Sequence, residues 1–191
     1  MLSILIPTYN NFDYFKLCIK SLETNTDNKY EIIVHVNDGI DGTLDFVKNK
    51  SFKYVHSKTN IGLCSSINKI AKISNYKYLL YSHDDMFFCP GWDSALINEI
   101  KKIGHNNFYL SGTMIEPNSG HIEFNAGKDF NSFNEQKLLD NIDNLNFFDH
   151  QGSHFAPHLV HKDLWNKVGG FSEEFNPGIG SDPEFNMKLW N

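Results

Sequence analysis

Apolar and polar positions along the first half of the chain switch repeatedly between two periods. Residues 2–6 (Leu2-Ser3-Ile4-Leu5-Ile6) form an apolar run of strand length, and Pro7 stops it. Phe15, Cys18, Ile19 and Leu22 then fall at i, i+3, i+4, i+7, which predicts a helix face. Residues 31–36 give a second strand, ended by the turn chemistry of Asn37-Asp38-Gly39 and Asp41-Gly42. A short helix around 44–47 and a third strand over 52–56 follow. Leu63, Ile67, Ile70 and Ala71 make the next helical stripe. Residues 78–81 read as a strand with His83-Asp84-Asp85 at its C-terminal end, and Trp92, Leu96, Ile97 and Ile100 mark another helix.

The second half is less regular. Residues 108–115 predict a strand, Pro117-Asn118-Ser119-Gly120 a turn, and 121–125 a partner strand. A helix is expected over 135–145 and a strand over 155–160. Val168-Gly169-Gly170-Phe171 supplies a flexible exit from a helix that begins at Asp163. The chain stops inside a last helix with Phe185, Leu189 and Trp190 on its apolar side, so it reads as a fragment or as a compact version of something longer.

Strand–helix alternation is the signature of an α/β domain with a mainly parallel central sheet. Ligands of such sheets bind outside the carboxyl ends of the strands. The polar clusters at 8–10, 37–38, 58–60 and 83–85 all lie at such ends, which predicts a single site. The expected organisation is one domain. Residues 1–105 form its ligand-binding half, and residues 106–191 a smaller half with an antiparallel element.

Composition narrows the partners. The chain has 191 residues, a net charge of -6 and no Arg. Bidentate guanidinium contacts to phosphate or guanine are therefore absent, and no nucleic-acid footprint is expected. Three cysteines, Cys18, Cys64 and Cys89, lack zinc-site spacing and fit a reducing compartment, so a cytoplasmic protein is expected. No apolar run approaches a membrane span, and residues 2–6 are too short for a signal peptide.

Several segments carry candidate chemistry beside a plain structural reading. Ser82-His83-Asp84-Asp85 places hard carboxylate oxygens at a strand end, suited to Mg²⁺ or Mn²⁺; strand-end turns also carry Asp for local reasons. Asp38 can accept a base N–H such as uracil N3–H, with Gly39 admitting close approach, or it serves only a turn. Pro7-Thr8-Tyr9-Asn10 can lay backbone and Tyr9 against a nucleoside base. Asn60-Ile61-Gly62 precedes a helix whose first N–H groups can face phosphate, though a plain N-cap explains it as well. His150, His154, His158 and His161 are not in zinc spacing. His154 is the histidine expected to serve as a further metal ligand, because it lies just before the strand expected over 155–160. Asp182 opens the last helix as an N-cap or as a catalytic base, two compatible readings, since the helix dipole keeps such a carboxylate ionised.

Taken in order, residues 3–10, 36–43, Asn60-Ile61-Gly62, His83-Asp84-Asp85, Gly169-Gly170-Phe171 and Ser181-Asp182 resemble the family 2 inverting glycosyltransferases with the Rossmann-like GT-A fold. The resemblance implies a nucleotide-sugar donor, usually a UDP-sugar, a divalent metal, and one in-line displacement onto a glycan, lipid or small-molecule hydroxyl. By position, Thr8, Tyr9, Asn10 and Asp38 look like nucleoside contacts and Asp84 like a ribose or diphosphate-side contact. Asp85 looks like the direct metal ligand and Asp182 like the general base. His83 stands where many relatives carry an acid, and Ser181 where many carry Glu. The alternative is a catalytically silent nucleotide-sugar- or glycan-binding module of a larger protein. Oligomeric state is open to a homodimer.

Overall fold

The computed structural model describes residues 1–151 and 156–190. In chain order the elements are β1 (Leu2–Tyr9), α1 (Phe12–Asn25), β2 (Tyr30–Asn37), α2 (Thr43–Asn49), β3 (Lys53–Ser57), α3 (Leu63–Lys72), β4 (Tyr78–Tyr81), α4 (Trp92–Ile103) and β5 (Tyr109–Ser111). Then come β6 (Ile115–Glu116), β7 (Ile122–Glu123), α5 (Glu135–Leu139), β8 (His158–His161), α6 (Lys162–Val168) and α7 (Ser181–Trp190). The chain divides into two compact units, one formed by Met1–Ser111 with the described residues of 153–191, the other by residues 112–152.

The first unit is built on a six-stranded sheet in the order β3-β2-β1-β4-β8-β5. β1 pairs in parallel with β2 and β4, and β2 with β3. β8 runs antiparallel to both of its neighbours, β4 and β5. The mainly parallel α/β architecture is thus as expected. Alternation along each strand sends side chains to two apolar layers. Leu2, Ile4, Ile6, Ile32, Val34 and Val36 face α1, α2 and α4, where Phe15, Cys18, Ile19, Leu22, Val47 and Ile100 pack. Leu5, Ile33, Leu79, Tyr81 and Val160 face α3, α6 and α7, against Ile67, Ile70, Trp165, Phe171 and Phe185. A strand covered on both faces reads as an unbroken apolar run, which is why β1 and β4 were legible.

Three expectations need correcting. β1 continues through Pro7 to Tyr9. Alternate residues of a strand point their backbone groups to alternate neighbours. Leu5 points to β4, since its carbonyl accepts from Ser82 N at 3.0 Å. Pro7 therefore also points that way, but β4 has already ended at Tyr81. The missing proline N–H forfeits no ladder bond. The strand expected over 108–115 is interrupted, with β5 in the first unit and β6 in the second. The helix expected over 135–145 is α5 followed by a 3-10 turn at Ile142–Asn144.

In the second unit β6 and β7 pair in parallel across a very short connection. Gly120 permits this fold-back. A side chain there would meet Glu116 N and Met114 O at 2.7 Å. No helix among the described residues is long and apolar enough to cross a membrane.

Candidate active site

The site lies in the first unit, at the carboxyl ends of β1, β2 and β4. A cleft of about 320 Å³ opens there, lined by Thr8, Tyr9, Asn10, Asn37, Asn60, His83 and Asp84 together with Pro7, Asn11, Leu63 and Pro177. Thr8 is buried and Tyr9 is half exposed at the rim.

The two loops that leave β1 and β2 are tied to each other. Asn10 donates from Nδ2 to Asp38 Oδ2 at 3.1 Å and accepts from Gly39 N at 3.0 Å. Asp41 accepts from Phe12 N at 2.9 Å and from Thr43 N at 3.1 Å, so one carboxylate serves the first turns of α1 and α2. Asn10 and Asp38 both adopt positive φ, 47° and 62°. That is a conformation Asn and Asp tolerate better than most residues. Asp38 is not among the residues lining the cleft; its Oδ2 holds Asn10 in place.

Asn37 organises the floor. It donates to Ser66 Oγ at 3.0 Å and accepts from Ile61 N at 3.0 Å, which joins β2 to the loop before α3. Asn60 accepts from Gly62 N at 2.9 Å. Two N–H groups at the start of α3 are already engaged, Leu63 N with Pro177 O at 3.0 Å and Ser65 N with Asn176 Oδ1 at 3.4 Å. The N-terminus of α3 thus binds the 176–177 segment, and Gly62 packs on Asn176 rather than lining the cleft. A Cβ on Gly62 would sit 2.3 Å from Asn176 Oδ1, at a φ of +84°. We expect Gly62→Ala to cost about 2 kcal/mol and to lower Tm by roughly 4–8 °C. A thermal melt checks this, and an unchanged Tm would contradict the packing described.

The acidic turn follows β4. Asp84 Oδ1 accepts from Asn11 Nδ2 at 3.1 Å. Burial raises its pKa above the ordinary 3.8, outweighing the hydrogen bonds it accepts. Asp85 is exposed, and its Oδ1 lies 4.0 Å from His83 Nδ1. The His83 ring rests against Tyr81 at 5.4 Å between centroids. No group of three or more His, Cys, Asp or Glu placed to hold a metal ion occurs among the described residues. His154, expected as a metal ligand, lies outside them, as does Phe155 at the start of the expected 155–160 strand.

Asp182 sits one residue inside α7, so it is not the N-cap. Its side chain is 12% exposed, and Oδ1 is buried without a hydrogen-bond partner. Burial raises its pKa above 3.8, with His83 opposing. The direction of the shift is set by desolvation and not by the helix terminus. A helix terminus contributes about 0.3–1 kcal/mol, less than the desolvation of a carboxylate enclosed this far. Glu184, the neighbouring acid, is engaged elsewhere, accepting from Ser172 Oγ at 2.6 Å and pairing with Lys188 at 3.3 Å.

Sequence reasoning missed Asn11, Leu63 and Pro177 as cleft residues and included Asn37 only within the 37–38 cluster. Asn11 and Leu63 were signalled, since each adjoins a residue already singled out. Pro177 was not, because only the docking of its carbonyl on α3 brings it there.

The model of glycosyl transferase family 2 matches residues 3–161. An uncharacterised glycosyltransferase of Rickettsia bellii is 34% identical over 117 residues, covering 58% of this chain and 16% of its own length. One from Rickettsia prowazekii is 29% identical over 181 residues, 91% of this chain and 54% of its own. The chain thus spans about half or less of the curated relatives it matches. Among solved structures, S. aureus TarS 1-349 in complex with UDP-GlcNAc superimposes with a TM-score of 0.71 at 16% identity, covering 99% of this chain and 53% of that one. The mannosyltransferase PcManGT from Pyrobaculum calidifontis, in complex with GDP-Man and Mn2+, gives 0.64 at 15% identity, covering 95% and 49%. At these identities the likeness establishes a GT-A fold.

Proposed function

The chain belongs to glycosyl transferase family 2, and from that premise we propose that it moves a sugar from a UDP-sugar to a hydroxyl of a glycan, lipid or small molecule, with inversion. The observation that carries this reading is the pairing, within one unit, of a strand-end cleft bearing Asp84 with a separate, buried carboxyl at Asp182. A pure binding module has no need of the second group.

In this reading the nucleoside lies along Pro7, Thr8, Tyr9 and Asn10, with Asn60 also lining the cleft. Asp38 fixes the loop through Oδ2, and its other oxygen, Oδ1, is the proposed acceptor for a uracil N3–H. A divalent cation, Mg²⁺ or Mn²⁺, fits the donor set. Asp85 is an exposed hard-oxygen ligand with Asp84 beside it, and such ions are held by one or two carboxylates when phosphates supply the rest. That arrangement does not require three protein ligands, and His154 is the candidate for one more. When bound, the ion neutralises charge on the departing diphosphate. Asp182 accepts the proton of the acceptor hydroxyl as its oxygen bonds to the anomeric carbon. The bond from that carbon to the diphosphate oxygen breaks with its electron pair leaving on UDP.

Both bases occur among the neighbours, since TarS holds UDP-GlcNAc and PcManGT holds GDP-Man. Uracil is favoured here because Asp38 can pair with N3–H, and a lost hydrogen bond at an enclosed site costs about 1–3 kcal/mol. We expect calorimetry with Mn²⁺ to give tighter binding for UDP than for GDP. Tighter GDP binding would overturn the base assignment. Release of free UDP from UDP-sugars in the presence of acceptor, against none, separates the enzyme from a silent module.

A further inference from the structure

We propose that His158 is a positioning residue for Asp182, holding the carboxylate from behind so that its outer oxygen meets the acceptor hydroxyl. The inference rests on the reading of Asp182 as the base.

It starts from the two oxygens of Asp182. Oδ1 is sealed from solvent, so the 12% exposure of the side chain belongs to its remaining atoms, and Oδ2 is the oxygen assigned to the substrate. Among the described residues His158 Nδ1 lies 4.0 Å from the sealed oxygen, and His83 also acts on the carboxylate. A buried carboxylate oxygen without a donor is costly. A small rotation of the Asp182 side chain brings this pair to hydrogen-bond distance, with Nδ1–H donating and Oδ1 accepting.

His158 is built to stay where it is. It is 1% exposed and lies on β8, paired in register with Tyr81 on one side and Ser111 on the other. Tyr81 and Tyr109 meet its ring edge-on, at 5.5 and 4.9 Å, and Phe185 of α7 stacks parallel to it at 6.5 Å. The aromatic packing leaves the imidazole little freedom to rotate. The base is carried by a helix end, whereas its partner is carried by the central sheet, the more rigid element. Asn186 Nδ2 donates to Asp182 O at 2.7 Å and steadies the backbone of the same residue. A base held by a third group is the general arrangement that makes a proton acceptor effective.

The tests separate this role from core packing. In His158→Phe the aromatic box stays filled and the donor is lost; in His158→Asn a side-chain N–H remains near the position of Nδ1. We expect His158→Phe to lower kcat by roughly 10- to 100-fold, with KM for the UDP-sugar and UDP affinity unchanged. His158→Asn should recover a large part of that loss. Near-normal kcat in His158→Phe, or equal losses in both variants that track Tm, would overturn the proposal. Should neither variant fold, ¹⁵N spectra of the native protein decide. The proposal requires His158 to carry a proton on Nδ1 at neutral pH and its resonance to move in Asp182→Asn; a bare Nδ1 would overturn it. If instead Asp182→Asn turns over normally, the assignment of the base fails, a result distinct from any of these.

Discussion

Asp182→Asn is expected to lower turnover by roughly 10² to 10⁴ while leaving UDP-sugar and metal affinity nearly intact. The variant should fold as well as the native protein, for a reason that follows from the sign of the pKa shift. Burial raises the folded-state pKa above 3.8. Between the unfolded and folded pKa values the folded state therefore binds more protons. Stability falls as pH rises through that window. At neutral pH the carboxylate is a net cost to the fold, and a neutral amide of the same shape removes it. We expect a Tm at pH 7 equal to or above that of the native protein, together with the loss of activity. The same shift predicts that kcat falls on acidification, with a limb lying above the ordinary carboxylate range. Normal turnover in the variant would place the base elsewhere, and loss of donor binding would assign Asp182 to the nucleotide.

The second large effect concerns the cation. Chelation, and separately Asp85→Ala, should each weaken UDP binding and reduce transfer. Lewis-acid stabilisation of a leaving diphosphate contributes several kcal/mol, on the order of 10² to 10³ in rate. Arg is absent from the chain, so no guanidinium can substitute. Because Asp85 is exposed, its removal should leave the melting temperature unchanged. Titrating UDP into native protein and Asp85→Ala, each with Mn²⁺ and with chelator, gives four affinities. Four equal values would remove the metal from the mechanism.

The parts of the fold legible in the sequence are those with unbroken local signals. β1 and β4 are buried on both faces and read as apolar runs. α1 and α3 bury one stripe, as Phe15, Cys18, Ile19 and Leu22 or Ile67, Ile70 and Ala71 show. Local reasoning failed where a distant segment decided the outcome. Pro7 continues its strand because β4 ends early, which position 7 cannot reveal. Asp182 has a raised pKa because the fold encloses it, whereas the sequence displays only its place at a helix start. The cleft residues Thr8, Tyr9, Asn10, Asn60 and Asp84 were signalled by their strand-end positions. Pro177 and the engagement of the α3 terminus by the 176–177 segment depend on a contact between residues over a hundred positions apart.

β8 joins the sheet between β4 and β5, so the strand that follows β4 in the sheet is the last of the described strands to be made. A ribosome emitting this protein releases β1 to β4 long before residues 158–161 emerge. Until then the Tyr78–Tyr81 edge, an uncharged Tyr-Leu-Leu-Tyr, has open backbone groups on one side. β5 has no strand to dock on, because among the described residues its ladder is with β8. Completion of the sheet is thus a late, high-contact-order event, slow for topological reasons. A nascent chain stalled before residue 158 would carry an adhesive strand edge, which makes it a natural client for holding chaperones.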